Sequence, residues 1–178
     1  MKDAIRLCEH TADWAGAFAR EAGLLQGALA ETLISTHHIG STAIPGLVTK
    51  PTVDILCVAH TLEAVDRAEP AMRALAYTPK GENGITGRRY FVKRNAHGER
   101  THHVHIYVTG SPHIKRHLAT RDFLRSHPEV TAEYSQLKQA IMSGDPQARK
   151  DYQNAKAPFL AHCEQVALAW YDELAQRP

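Results

Sequence analysis

Cysteine is scarce in this chain. There are three, Cys8, Cys57 and Cys163, an odd number without paired spacing. They support neither a disulfide framework nor a CxxC metal pattern. Cys57 lies in an apolar run and Cys163 in an expected helix, which suits inert core thiols in a reducing compartment. Long apolar runs are missing as well: none approaches the ~20 residues of a membrane span. Met1-Lys2-Asp3-Ala4-Ile5-Arg6 has no uninterrupted apolar region, so no signal peptide is expected. These absences predict a cytoplasmic chain without a membrane partner. Charge of one sign is not in excess either, the formal net charge being +2. Aromatic and basic residues are not interleaved, so nucleic acid is not an expected partner. HExxH is absent, and no Ser-His-Asp or Cys-His arrangement declares itself.

What remains is an ordinary globular composition, 43% hydrophobic and 22% charged, over 178 residues. That length predicts one domain, 1–178, burying roughly two-thirds of its unfolded surface. Twelve histidines stand out, and two groups are tight: His37-His38 and His102-His103-Val104-His105.

Hydrophobic spacing predicts a first helix from Trp14 to about Ile34, through Phe18, Ala22, Leu25, Leu29 and Leu33. Thr52 to Ala59 reads as a central strand, apolar on both faces except at Thr52 and Asp54. Leu62 to Leu75 reads as a helix that Pro70 either kinks or ends early. Tyr77-Thr78-Pro79 is a short edge strand. Arg89 to Arg94 and Thr101 to Val108 form a hairpin about Asn95-Ala96-His97-Gly98-Glu99. In its second strand His102, Val104, Ile106 and Val108 should pack on the core, leaving Thr101, His103, His105 and Tyr107 on a polar face. From about residue 112 the chain is helical: His113 to Arg125, Glu129 to Met142, and Ala148 to about Leu174. The order gives an α+β fold with a mixed sheet.

The candidate chemistry starts at His38-Ile39-Gly40-Ser41-Thr42-Ala43-Ile44-Pro45-Gly46, a small-residue turn that can approach phosphate oxygens closely. Lys50 follows, where an ammonium would offset phosphate charge. Asp54 on its apolar strand needs a metal, a counter-charge or a backbone partner, Lys50 included. Two-ion nucleotidyl-transfer sites use several carboxylates, and a second one two residues on would share the face of Asp54. That position is Leu56. His103 and His105, also i and i+2, offer ligands from another strand, favouring a transition metal such as Zn over Mg, or else an anion. Arg88, Arg89 and Lys93 add positive charge nearby. Arg121 either reaches a phosphate or pairs with Asp122, and Arg116 and Arg125 read as solvated. Tyr152 and Lys156 share one helix face.

Several of these segments, HIGSTAIPGL with KPTVDI, GRRYFVK, RTHHVHIYVTGS, TRDFLRSHPEV with AEYSQLK, and DYQNAKAPF, resemble the GrpB family of small bacterial proteins. The likeness runs in order from Trp14 to about Trp170. It implies the nucleotidyltransferase-superfamily fold, and Gly40, Ser41 and Asp54 take that superfamily's glycine-serine and acidic positions. Arg88, Lys93, His103 and His105 match motifs expected to line the same cleft. Arg121, Asp122, Tyr134, Lys138, Tyr152 and Lys156 match the helical part. In some bacteria the same domain is fused to dephospho-coenzyme A kinase, which implies nucleotide-related chemistry. Leu56 departs from the superfamily at its second acidic position, and Thr120 stands where an aromatic residue is common.

The leading expectation is an enzyme that transfers a nucleotidyl group from a nucleoside triphosphate to a small molecule. Gly40, Ser41, Lys50, Arg88, Lys93, Arg121 and Lys156 would bind phosphate. Asp54, His103 and His105 would be the catalytic and metal residues, with a divalent ion (Mg, or Zn) and no organic cofactor. A non-catalytic nucleotide or anionic-metabolite module in the same cleft is the alternative, and a histidine-centred metal-dependent hydrolase is a third.

Overall fold

The computed structural model describes residues 6–176. Helix α1 (Asp13–Leu29) leads through a single 3-10 turn into strand β1 (Leu33–Ile39). The helix is shorter than its periodicity predicts. Ala30 takes a left-handed φ of 46° and ends it, and Leu33, which extends the helical pattern in sequence, instead opens a strand. A second 3-10 turn, Ser41–Ala43, and an irregular loop connect to β2 (Val53–Ala59).

Thr61 caps α2 (Leu62–Arg67) by accepting the Ala64 N–H. The expected helix to Leu75 is two helices, because α3 (Glu69–Ala74) restarts with Pro70 in its first turn, where the missing N–H costs nothing. Then come β3 (Tyr77–Pro79), β4 (Arg89–Arg94) and β5 (Arg100–Val108). Three prolines open helices in the same way: Pro112 in α4 (Pro112–Ser126), Pro128 in α5 (Pro128–Ser143) and Pro146 in α6 (Pro146–Lys150). The last expected helix is also divided, with α6 separated at Asp151 from α7 (Tyr152–Ala175). Among the described residues no helix is long and apolar enough to cross a membrane.

The strands form one mixed sheet in the order β1-β2-β5-β4-β3. Only β2 and β5 run parallel, and their register sets Asp54 beside His103 and Leu56 beside His105. Side chains alternate across the sheet. Val53, Ile55 and Cys57 of β2 therefore join Val104 and Ile106 of β5 and Phe91 of β4 in the main core, under α1, α2 and α3. As the alternation predicts, the even residues of β5 face this core. The opposite face carries Asp54, His103 and His105, then a small apolar patch of Ile39, Leu56 and Tyr107 beside Ile114 and Leu118 of α4. A separate core joins α4, α5 and α7 to Ile44 and Leu47 of the loop after β1. The helical third is thus packed on the loop that follows the glycine-serine turn. Cys57 and Cys163 are buried as expected, and burial pushes their thiols up to about 12 and about 11, so both are inert at neutral pH.

Candidate functional site

At Gly40 the backbone has φ 69° and ψ −172°, a conformation that only glycine adopts readily. Space requires glycine as well. A Cβ there would lie 2.4 Å from Asp54 Oδ2. The turn and the strand carboxylate, separate motifs in sequence, are therefore in contact. The turn is closed by the Ala43 N–H donating to the Gly40 carbonyl (3.2 Å) and the Ile44 N–H to that of Ser41 (3.3 Å). The Ser41 hydroxyl, expected on phosphate, bonds Thr49 Oγ1 at 2.5 Å.

Several side chains fix this turn. Arg121 Nη1 donates to the His38 carbonyl (3.2 Å) and Arg125 Nε to that of Ala43 (2.7 Å). Thr42 donates its hydroxyl to the Thr52 carbonyl (3.4 Å), leaving it to accept from His38 Nε2 at 2.9 Å. His38 also stacks on Phe18, with ring centres 5.0 Å apart. Burial, with Arg125 beside it, pushes its pKa down to about 4, so the ring is neutral at pH 7. None of these roles is visible in the sequence. Arg121 grips Asp122 (2.7 and 3.0 Å), so it anchors α4 to β1 and is not available as the expected phosphate ligand. Arg125 and Arg116, expected in solvent, hold the turn and Glu164 respectively.

Asp54 Oδ1 receives His103 Nδ1 at 2.9 Å, and His105 Nε2 lies 3.7 Å from the same oxygen. Arg88 explains the second orientation. Its Nη1 donates toward His105 Nδ1 (3.4 Å), which turns the Nε2–H to Asp54. Arg88 is itself fixed by the Glu82 and Asn83 carbonyls (3.1 and 2.8 Å) and lies 4.8 Å over the Tyr90 ring. Tyr90 flanks both histidines, and His117 of α4 lies 5.5 Å from His105. Burial alone would push the Asp54 carboxyl up. The hydrogen bonds from His103 and His105 outweigh it and hold the carboxyl well below the usual range. Burial pushes His105 down against the pull of Asp54. We read the pair as an ionised carboxylate with a neutral imidazole. His103 Nε2, the nitrogen opposite its Asp54 bond, is buried without a hydrogen-bond partner.

Lysines complete the site. Lys50 Nζ and Lys156 Nζ lie 5.9 and 5.3 Å from the centre of the Tyr152 ring. Lys138, which is 2% exposed, donates to the Val48 carbonyl (2.8 Å) and lies 4.4 Å over the Tyr134 ring. Lys138 is singled out in the sequence by the family resemblance and not by its local pattern. A signal exists in the repeated Tyr-x-x-x-Lys spacing, Tyr134 to Lys138 and Tyr152 to Lys156, which puts each ammonium over its own helix's ring.

The expected placement of Lys93 is corrected. Lys93 is on the other face of the sheet, where it pairs with buried Glu21 at 2.8 Å, opposite His102 in register. It does not face the cleft. Asp54, His103 and His105 converge as a hydrogen-bonded trio. Among the described residues no group of three or more His, Cys, Asp or Glu is arranged to hold a metal ion. Leu56, at 0% exposure, is sealed inside the sheet.

A mixed sheet in which a glycine-serine turn touches a strand carboxylate, with helices packed on the connecting loop, is a nucleotidyltransferase-like fold. The Cid1 poly(U) polymerase in a structure bound to MgATP shares it at a TM-score of 0.51 and 8% identity, over 73% of this chain and 42% of that one. The model of the GrpB protein family matches residues 4–166, and the chain belongs to that family. It is 40% identical over 169 residues to the UPF0157 protein YqkA of Bacillus subtilis, covering 95% of this chain and 49% of the relative. The Pseudomonas aeruginosa UPF0157 protein PA4798 is 36% identical, with 88% and 64% covered. The chain thus spans about half to two-thirds of the length of these relatives. The crystal structure of GrpB from Enterococcus faecalis superposes with a TM-score of 0.85 at 36% identity, over 93% of this chain and 99% of that one.

Proposed function

We propose that this protein transfers a nucleotidyl group from a nucleoside triphosphate to a small-molecule acceptor. One observation carries the reading. An ionised carboxylate, Asp54, orients two imidazoles, and its charge also acts on two lysines from the helical third, Lys138 and Lys156. A carboxylate–imidazole pair beside clustered cations suits proton removal from an acceptor next to a phosphate.

In this reaction the acceptor oxygen attacks the α-phosphorus. The bond from that phosphorus to the bridging oxygen breaks, and pyrophosphate leaves. The acceptor proton passes to His103 Nε2. Its Nδ1–H stays on Asp54, which holds the tautomer and offsets the charge that the ring gains. His105 and Arg88 keep Asp54 and His103 in register. The residues do not fit a resident two-ion cluster. Leu56 supplies no ligand, Asp54 Oδ1 is taken by the histidines, and Oδ2 packs against Gly40.

Leu56 also supports a second reading, in which the same cleft binds a nucleotide or anionic metabolite without turnover. Calorimetry with nucleoside triphosphates, followed by 31P NMR of the bound mixture with a small-molecule extract as acceptor pool, separates the two. Release of pyrophosphate supports transfer. Tight binding with no phosphorus-containing product supports the module.

A further inference from the structure

On its cleft face β5 carries two buried polar atoms without a hydrogen-bond partner among the described residues, His103 Nε2 and the hydroxyl of Tyr107. The first serves the transfer proposed above. The second has no task in it. Tyr107 is 0% exposed. Its ring stacks on His113 of α4 with centres 5.1 Å apart and lies 6.0 Å from the ring of His117. Ile114 and Leu118 make its surroundings apolar. A buried hydroxyl without a partner costs stability, and phenylalanine would fill the same space without that cost.

Two further donors stand at the same end of the strand. Arg88 is 6% exposed, and a guanidinium has five N–H groups. Three are used, on the Glu82 and Asn83 carbonyls and on His105 Nδ1, which leaves one on each terminal nitrogen. Holding His105 takes a single N–H and no charge. Among the described residues no carboxylate pairs with Arg88, and its two carbonyls supply dipoles only. A charge buried in this way is unfavourable until an opposite one joins it. The second donor is His117, 5.5 Å from His105. A guanidinium can only donate, so Arg116 Nη2 at 3.1 Å makes His117 Nε2 an acceptor and puts the ring proton on Nδ1. Among the described residues that N–H forms no hydrogen bond. Arg116 itself is neutralised by Glu164 at 2.5 Å.

We infer that Arg88, Tyr107 and His117 seat a carboxylate of the acceptor, and that the acceptor is a hydroxy acid whose hydroxyl reaches His103. The inference rests on the transfer reading above and names its acceptor class. The unused N–H groups on the two terminal nitrogens of Arg88 suit the two oxygens of a carboxylate. One uncompensated charge, that of Arg88, matches a monoanion. A phosphate monoester, which carries about 1.5 to 2 negative charges at pH 7, would keep part of its charge without a partner. Spacing narrows the class further. Along the strand His105 is about 7 Å from His103, and Tyr107 about 14 Å. Hydroxyl and carboxylate therefore stand at opposite ends of the acceptor, not on neighbouring carbons.

The test is NMR titration of the whole chain with acetate, acetamide and methyl phosphate, with a chelator present and no nucleotide. The signals read are the imidazole nitrogens of His105 and His117 and the Nε–H of Arg88. Acetate is expected to shift them saturably, with acetamide and methyl phosphate at least about tenfold weaker. Tyr107→Phe removes a hydroxyl that has no partner in the free protein, so its urea midpoint should stay the same or rise. It should still weaken acetate by about tenfold, the effect of one hydrogen bond to a charged group. A tyrosine with only a packing role would leave acetate binding untouched. Arg88→Lys, which keeps the charge and loses the fork, should weaken acetate by about tenfold or more and is read only if circular dichroism shows it folded; Tyr107→Phe carries the test without it. Absence of a saturable acetate shift, equal binding of acetamide or methyl phosphate, or indifference to Tyr107→Phe would overturn the seat. If acetate behaves as expected but no nucleoside triphosphate is ever turned over, the seat stands and the transfer reading falls. Transfer that proceeds equally to neutral acceptors and ignores Tyr107→Phe does the reverse, leaving transfer in place and removing the seat.

Discussion

Replacing Gly40 by alanine should disable the site through the backbone. At φ 69° and ψ −172° an L-residue is strained by about 1–3 kcal/mol. The new methyl carbon would also lie 2.4 Å from Asp54 Oδ2 and 2.9 Å from its Cβ and Cγ, where 3.4 Å or more is ordinary contact. The carboxylate must retreat by roughly 1 Å, which stretches the 2.9 Å bond to His103 beyond hydrogen-bond range. Losing that charge-assisted bond costs about 1.5–3 kcal/mol. The sum is about 2.5–6 kcal/mol, large against typical domain stabilities. Gly46→Ala is the control. Its φ is 78° but the added methyl meets open space, so only the left-handed strain of about 1–2 kcal/mol applies. Urea denaturation gives both values, and imidazole nitrogen NMR shows whether His103 Nδ1 still donates. If Gly40→Ala is no more destabilising than Gly46→Ala, and the His103 signal is unchanged, the coupling of turn to carboxylate is wrong.

Other consequences follow from placement. Lys93→Met strands Glu21, 5% exposed, with no lysine or arginine paired to it among the described residues and His102 at 3.9 Å. It should cost about 3 kcal/mol in denaturation while leaving nucleoside triphosphate affinity unchanged, because it acts on the far face of the sheet. Leu56→Asp should not restore a second metal ligand. A carboxylate forced between Ile39 and Tyr107 should destabilise by more than about 4 kcal/mol, seen as lost cooperative unfolding, and a stable variant would contradict the sealed position. Acid should weaken the fold well above the carboxylate range. His38 is pushed down to about 4, His117 to about 3, and His105 is lowered, burial being the leading cause in each. The unfolded chain binds these protons first, so stability falls as pH drops from about 6.5 toward 4, by about 3 kcal/mol for His38 alone. Asp54 acts in the same direction over a lower range: its contribution is intact above the ordinary carboxylate pKa and is lost only as pH falls below it. Denaturant midpoints that stay flat between pH 7 and pH 4 would refute this.

Strand β2, the β4–β5 hairpin and the starts of the C-terminal helices are legible in the sequence because they use local rules: alternation, a loop containing Asn and Gly, and proline at helix starts. The meeting of Asp54 with His103 and His105 is legible in part, since each is polar on a strand that is largely apolar. β1 is not, because Leu33 continues the period of α1 while Ala30 breaks the helix without a glycine or proline to mark it. Lys93 is misplaced for another reason. Its face depends on the pairing with His102, which hairpin register fixes and strand composition does not. The targets of Arg121 and Arg125 are backbone carbonyls 83 and 82 residues away. No local pattern announces them. Lys138 is reached through the family resemblance alone, because local composition places a helix lysine in solvent.

Nucleotidyl transfer itself is tested by pyrophosphate release from nucleoside triphosphates, measured for the wild-type protein and for Asp54→Asn and followed by 31P NMR with the same acceptor pool. Release is expected from the wild type and should be lost in Asp54→Asn, which keeps the shape of the side chain and the cooperative unfolding of the fold. Equal release by a folded Asp54→Asn would contradict this, because the carboxylate that orients His103 and His105 would then have no part in the chemistry.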